Sequence, residues 1–210
     1  MTIDTNELLN SILQNLSEVD YIKSVDIPNI DLYMDQVTSF MEKQLKSTKR
    51  NEEDKVLTKT KINNYAKNDL LPAQVKKKYS KEQLLLLTFI YYFKNVLTMK
   101  DIELLLKPLT EKYFHSENNI TIARIYDEVC AFEKERTKLM QKDLEEMYQQ
   151  SMETFTDVEE EDRQSLQFFS FMSSLILDIY VKKLLLEKLV DKVYTPQEPK
   201  QEKDKEKKKK

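Results

Sequence analysis

Apolar residues recur at helical spacing along most of the chain. Near the N-terminus the repeat predicts an amphipathic helix within residues 1–28, with Asp4 or Thr5 as the candidate N-cap. Its apolar positions are Leu8, Leu9, Ile12, Leu13 and Leu16. After Pro28 a second repeat, from Ile30 to Leu45, predicts a helix over about residues 29–46. The polar stretch KSTKRNEED then predicts a loop.

Shorter elements are predicted between residues 57 and 109. Residues 57–68 form a predicted helix capped by Thr58. Pro72 ends the element that precedes it in the chain, because proline is not tolerated in a helix interior. The stretch PAQVKKKY is short and basic, which indicates an exposed turn or a small β-ribbon. Ser80 has the spacing of a capping box and begins a strongly apolar helix to about residue 96. Another short helix begins at Thr98, and a proline follows soon after its last leucine.

Two long helices and a polar tail complete the chain. They are predicted over residues 120–155 and 164–193 and are separated by the acidic linker VEEED. The second is apolar over most of its circumference, so we expect a partner copy to share the surface formed by Phe168, Phe171, Leu175, Ile179 and Leu186. Residues 196–210 contain no apolar residue except proline, which predicts a disordered tail.

Composition excludes several kinds of functional site. The chain has no glycine, which excludes the phosphate-binding loops of nucleotide enzymes and the EF-hand loop. One cysteine, Cys130, and one histidine, His115, cannot form a disulfide or a four-ligand zinc site. We therefore expect a non-enzymatic, cytoplasmic protein without cofactor or metal. The apolar stretches 84–93 and 164–177 are shorter than the roughly 20 residues of a membrane span, so no membrane association is expected.

The net charge of −3 conceals a strong separation of charge along the chain. Residues 55–81 contain eight lysines and a single acid, Asp69. Residues 143–162 contain nine acids and no basic residue. The first segment would attract a polyanion and the second would repel it.

The basic segment has the order of elements found in a winged helix-turn-helix. On its first helix Ile62, Ala66 and Leu70 share the apolar side, whereas polar residues point away from them. An asparagine amide on such an outer face can pair with adenine in the major groove, and lysines on a wing can contact phosphates. The predicted DNA-binding residues are Thr60, Lys61, Asn63, Asn64, Tyr65, Lys67, Lys76, Lys77 and Lys78. Tyr65 fits equally well as an aromatic at the edge of the core.

The same block resembles the DNA-binding domain of the MerR regulators. The resemblance rests on INNY, LLP, the lysines 76–78, and Tyr-Ser before a leucine-rich helix. Residues 30–109 also resemble a bacterial family known as domain of unknown function 1836, through the phrases DLYMDQV, TKTKINNY and KKYSKE. MerR proteins usually carry arginine where Asn63 stands and glycine before Leu-Leu, where Asn68 and Asp69 must provide the turn. About ten residues separate the first two helices, which is more than the usual short turn.

The predicted fold class is mainly all-α, with a MerR-like winged helix-turn-helix, a minimal β wing and long C-terminal helices. The predicted divisions are an N-terminal helix at 1–28, the winged helix-turn-helix at 29–115, a helical dimerisation or effector region at 116–195, and the tail at 196–210. We expect a transcription regulator that binds double-stranded DNA as a homodimer held by its C-terminal helices. The alternative is an all-α interaction or adaptor module that does not bind DNA and presents its acidic 143–162 region, with the lysines forming an ordinary solvated surface.

Overall fold

The computed structural model describes residues 7–9, 11–13 and 21–194. Residues 7–9 and 11–13 are helical, in agreement with the helix predicted there. The Gln141 side chain donates a hydrogen bond to the backbone oxygen of Leu13 at 2.9 Å, which ties this segment to the rest of the chain. The candidate caps Asp4 and Thr5 and the predicted tail at 196–210 lie outside the described residues.

The described chain is mainly helical, as predicted, and contains one small antiparallel sheet. Short 3-10 turns at Ser24–Asp26 and Lys46–Thr48 add to the main elements. In chain order these are β1 (Leu32–Tyr33), α1 (Met34–Gln44), α2 (Lys59–Lys67), β2 (Lys78–Tyr79), α3 (Lys81–Phe93), α4 (Met99–Tyr113), α5 (Ile122–Met152) and α6 (Glu160–Tyr194).

Helix α3 is the centre of the core. Every residue from Gln83 to Ile90 is buried, which requires neighbours on all sides of the helix. The surrounding cluster of buried side chains begins at Ile22 and ends at Tyr126, near the start of α5. The Ser80 capping box starts α3 as predicted, because the Ser80 hydroxyl accepts from the Gln83 backbone and the Gln83 side chain accepts from Ser80 N.

The predicted helix over 29–46 begins later than expected. Leu32 and Tyr33 form β1, which pairs with Tyr79 and Lys78 of β2, so α1 starts at Met34. The Gln36 side chain accepts from the Tyr33 backbone at 2.9 Å and closes the helix start. The first positions of the predicted repeat, Ile30 and Tyr33, are exposed, whereas Leu32, which the repeat did not include, is buried.

Helix α4 continues through Pro108, whereas the sequence predicted that this proline follows the helix. Proline removes one backbone hydrogen bond from a helix interior and costs about 3 kcal/mol. Leu109, Tyr113 and Phe114 nevertheless pack against the core beyond it. Their burial therefore holds the helix together past the proline.

The acidic segment between the long helices is only partly a linker. Glu160, Glu161 and Asp162 form the first turn of α6, where carboxylates interact favourably with the helix dipole. The connection is secured by Gln167, whose side chain donates to the backbone oxygens of Met152 at 2.6 Å and Thr154 at 3.0 Å. Helices α5 and α6 thus pack against each other as an antiparallel pair.

The shared surface predicted on α6 was partly wrong. Phe171 is buried within the chain, at 5.3 Å from the ring of Tyr148, and Leu186 packs against the core. Phe168 and Leu175 are half-buried, whereas Ile179 is exposed. The chain therefore covers part of the apolar circumference of α6 and leaves the rest exposed.

Candidate nucleic-acid interface

Helix α2 has one buried side and one exposed polar side. Ile62 and Tyr65 are buried, with exposed fractions of 0% and 3%, and Ala66 is half-buried. Positions three and four apart lie on one helix face, and four exposed polar residues follow this spacing. These are Thr60, Asn63, Asn64 and Lys67, which we call the polar stripe. The sequence prediction of an outward-facing polar side is confirmed.

Local hydrogen bonds fix both ends of α2. Thr58 caps the start, because its hydroxyl accepts from Lys61 N at 3.2 Å. At the other end Asp69 has φ of 53°, and Leu70 N donates to the Tyr65 carbonyl at 3.0 Å. Asp69 N donates to Ala66 O at 3.4 Å, which completes a Schellman motif. Asp69 therefore takes the left-handed conformation at the position before Leu-Leu, where the MerR proteins that this block resembles usually carry glycine.

Tyr65 lies on the inner side of α2 and not on its polar stripe. Its burial desolvates the hydroxyl and raises the pKa of the phenol. The predicted contact between Tyr65 and DNA does not fit this position, because the ring would have to leave the core to reach a groove. The three-residue spacing from Ile62 was the signal that could have assigned it to the core.

Lys61 is also placed differently from the rest of the predicted set. Its ammonium donates to the backbone oxygens of Lys55 at 3.2 Å and Val56 at 3.5 Å. The side chain is half-buried by these contacts. Lys61 therefore holds the segment before α2 in place. Because its ammonium group already donates hydrogen bonds within the protein, it is less available to a phosphate than the exposed lysines are.

The lysines at 76–78 form a tight reverse turn. Lys78 N donates to Val75 O at 3.0 Å, and the two central residues, Lys76 and Lys77, have φ of 52° and 61°. Two successive positive φ values are typical of the type I′ hairpin turn. Lys76 and Lys77 are exposed at the tip, while the Lys78 ammonium lies 4.9 Å from the centre of the Tyr33 ring. The predicted basic turn or ribbon is therefore present, as a two-residue turn beside a two-residue strand.

A buried glutamine connects this turn to α2 and α3. Gln83 donates to the carbonyls of Pro72 at 2.8 Å and Ala73 at 3.3 Å, just after the Leu-Leu-Pro segment. Tyr79 is fully buried, and its hydroxyl accepts a hydrogen bond from Gln74. These contacts fix the chain that joins the polar stripe to the lysine turn.

The long connection between α1 and α2 is held against α1 by charged side chains. Glu42 forms an ion pair with Lys49 and accepts from Val56 N at 3.1 Å. Lys49 lowers the pKa of the Glu42 carboxyl through the hydrogen bond and the charge it brings. Farther along, Lys59 pairs with Asp35 in the first turn of α1. The connection therefore runs back along α1, which explains how a segment longer than the usual short turn fits between the two helices.

The sequence prediction missed basic residues on this connection. A surface depression of about 480 Å³ is lined mainly by them. Its basic residues are Lys43, Lys46, Lys49 and Arg50. Lys43 lies in the last turn of α1, Lys46 begins the 3-10 turn, and Lys49 and Arg50 lie in the polar loop, so they were missed because only folding brings them together.

Comparison with known proteins places this region in a family. A family model described as domain of unknown function, DUF1836, matches residues 22–129, just over half of the chain. The chain belongs to the DUF1836 family. The matched residues coincide closely with the buried cluster from Ile22 to Tyr126, so the family's shared sequence corresponds to one core. No curated protein and no solved structure matches the chain.

Other candidate chemistry is weak in the DUF1836 protein. Burial raises the pKa of the Cys130 thiol, which disfavours the reactive thiolate. Within residues 21–194 and the two short N-terminal pieces, no three His, Cys, Asp or Glu side chains are grouped as metal ligands. Nor does the described part of the chain contain a helix long and apolar enough to cross a membrane. The polar stripe and the lysine turn remain the strongest candidate site.

Proposed function

We propose that this protein is a DNA-binding transcription regulator of MerR-like design. The observation that carries the proposal is the polar stripe of α2, with amide and basic side chains outside and apolar packing inside. Asn63 and Asn64 supply amides that can pair with adenine N6 and N7 in the major groove. Lys67 and the lysine turn supply charge for phosphates, which position a protein on DNA without reading its sequence. Such a regulator would act in the bacterial cytoplasm and would need no catalytic centre.

The fixed geometry of α2 supports this role. A recognition helix binds best when its orientation is set before it meets DNA, because ordering costs then fall outside the binding step. The Thr58 cap and the Schellman turn at Asp69 define both ends of α2. Gln83 fixes the connection to the lysine turn. Only eight residues separate Lys67 from Lys76, so the proposed base-contacting and phosphate-contacting groups belong to one continuous unit.

The separation of charge also favours a single mode of docking. The nine acids of residues 143–162 lie on the second half of α5, in the turn after it and at the start of α6. The basic residues 55–81 lie in and around α2 and β2. A duplex would be attracted to the second region and repelled by the first.

The direct test is the binding of a labelled AT-rich duplex at about 50 and 200 mM salt, followed by site selection. Asn64→Ala should cost about 1–3 kcal/mol at the preferred site and relax the preference at one base pair. Asn63 is the alternative base-contacting residue, since it lies beside Asn64 on the stripe. Asn119→Ala, an exposed asparagine between α4 and α5, is the matched control and should leave both affinities unchanged.

The same assay separates contact with phosphate from recognition of bases. Lys76→Ala should weaken binding to specific and random duplexes alike. It should also reduce the salt slope, which is the steepness with which the logarithm of affinity falls with the logarithm of salt concentration, by about one. Lys134→Ala, an exposed lysine on α5, should change neither. Absence of binding at the lower salt concentration would refute the proposal and favour the adaptor alternative, in which the acidic 143–162 region contacts a protein.

We also propose that the regulator is a homodimer. A single helix-turn-helix contacts one half-site, and pairing two of them across a pseudo-palindrome supplies the affinity that regulators need. Sedimentation of the full chain at micromolar concentration tests this directly, and a monomer would contradict it.

A further inference from the structure

Helix α6 exposes a continuous apolar surface on the side that faces away from the chain. Twelve apolar residues of α6 are exposed by between 36% and 66%, and six of them share one side of the helix: Phe169, Leu177, Tyr180, Val181, Leu184 and Leu185. At about 100° per residue they lie within an arc of about 160° centred near Leu177. We call this surface the outer face of α6.

The outer face is large enough to form an interface. Side chains of this size expose about 100 Å² each at these fractions, which gives roughly 600 Å² of apolar surface. The largest apolar patch of a typical monomer is about 300–600 Å², and each partner in a standard interface buries about 800 Å². The outer face together with its polar rim therefore has the area that a stable dimer requires.

The outer face is complementary to itself when a second copy runs antiparallel. Its first half carries small residues, Ser170, Ser173 and Ser174, within the same arc. Its second half carries large ones. If a twofold axis passes beside Leu177, Ser174 faces Tyr180, Ser173 faces Val181 and Ser170 faces Leu184. Three large side chains thus each meet a serine, which allows the middle of the two helices to approach closely, while Phe169 faces Leu185 and Leu177 meets its own copy.

The charges at the two ends of the outer face agree with the same alignment. The twofold axis at Leu177 places Asp162 opposite Lys192 of the second copy, and Arg163 opposite Asp191. All four residues lie within the arc of the outer face. A parallel alignment would instead place each charged residue beside the same residue of the second copy, so that like charges would repel. The two helix dipoles also oppose each other only in the antiparallel arrangement.

We propose that two copies of this chain pack antiparallel through the outer faces of α6, around a twofold axis at Leu177. The inference deepens the homodimer proposed above and does not depend on DNA binding. Self-complementarity in both size and charge favours a second copy over an unrelated protein, because an isologous interface requires one surface to match itself.

Disulfide trapping tests the alignment in the full chain. In a Cys130→Ser background, Leu177→Cys should form a disulfide-linked dimer on mild oxidation, because the axis brings the two Cβ atoms to about 4 Å. Phe169→Cys alone should not link, since its copies would lie about 24 Å apart. A mixture of Phe169→Cys and Leu185→Cys should link. Linking of Phe169→Cys to itself would show a parallel arrangement and overturn the proposal.

Charge reversal supplies an independent measurement on exposed positions. Asp162→Lys should raise the dimer dissociation constant at least about fivefold, because the pair occurs twice in each dimer. Adding Lys192→Asp should restore it. A monomeric wild type in sedimentation would overturn both the homodimer and this alignment. A dimer that neither links through Leu177→Cys nor responds to the charge reversal would overturn the alignment alone.

Discussion

The lysine turn offers a test in which stability and DNA affinity should change in opposite directions. Lys76 and Lys77 both have positive φ, in a turn that commonly carries Asn-Gly. Most residues with a Cβ atom, lysine among them, lose about 1–2 kcal/mol in the left-handed region, whereas glycine and asparagine adopt it more readily. The double substitution Lys76→Asn, Lys77→Gly should therefore relieve strain in the folded protein.

The expected gain is smaller than the full strain. Relief at the two positions is about 2–3 kcal/mol, and the glycine gives back about 0.4–1 kcal/mol through the entropy of the unfolded chain. The free energy of unfolding should thus rise by about 1–2 kcal/mol. For a chain of this size that corresponds to an increase in Tm of roughly 2–8 °C. DNA affinity should fall, and the salt slope should decrease by about 1.8, because two phosphate contacts are lost.

Thermal unfolding and a salt titration on the same preparation measure both effects. The matched control is Asp69→Gly, which relieves left-handed backbone at the end of α2 without removing a lysine. It should raise Tm by less than the double variant does, because aspartate tolerates the left-handed conformation better than lysine, and it should not lower DNA affinity. Stabilisation of the double variant with unchanged affinity would refute the phosphate contact. Failure to stabilise would refute the strained turn.

Three further predictions concern the contacts that position the site. Gln83→Leu should lower the free energy of unfolding by about 2–3 kcal/mol in denaturant titration, since the carbonyls of Pro72 and Ala73 would lose a buried donor. Tyr92→Phe should be neutral or stabilising by up to about 1 kcal/mol in the same assay, because its hydroxyl is buried without a partner among the described residues. Glu42→Gln should lower the free energy of unfolding at neutral pH, and this loss should shrink below pH 4.5. Lys49 lowers the pKa of the Glu42 carboxyl in the folded state. The stabilisation by the ion pair is therefore present above the unfolded-state pKa and is lost as the pH falls through the folded-state pKa. A difference between wild type and Glu42→Gln that stays constant on acidification would contradict that ion pair.

Features set by neighbouring residues could be predicted from the sequence. The caps at Thr58 and Ser80 each depend on a hydrogen bond across three residues, and both are present. The polar stripe of α2 follows from helical spacing alone. Asn68 and Asp69 were expected to supply the turn after α2, and Asp69 adopts the left-handed conformation.

Features that depend on distant contacts could not be predicted in the same way. Pairing of Leu32 with Tyr79 joins residues far apart in the chain, and it converts two residues of an apparent helix into a strand. Helix α4 passes Pro108 only because later side chains reach the core. Tyr65 lies one position from Asn64, yet about 100° of helix rotation places one in the core and the other on the surface.

The absence of glycine explains why backbone strain alone does not identify the site. Within the described chain five residues with a Cβ atom have positive φ: Asp69, Lys76, Lys77, His115 and Phe155. In a chain without glycine, such residues must fill every left-handed position. Aspartate tolerates that conformation through local hydrogen bonding, but lysine has no such advantage. The lysine turn differs from the other left-handed positions in presenting two exposed positive charges in succession, close in the chain to the polar stripe of α2. A phosphate backbone bound there would compensate for the conformational cost of the two lysines.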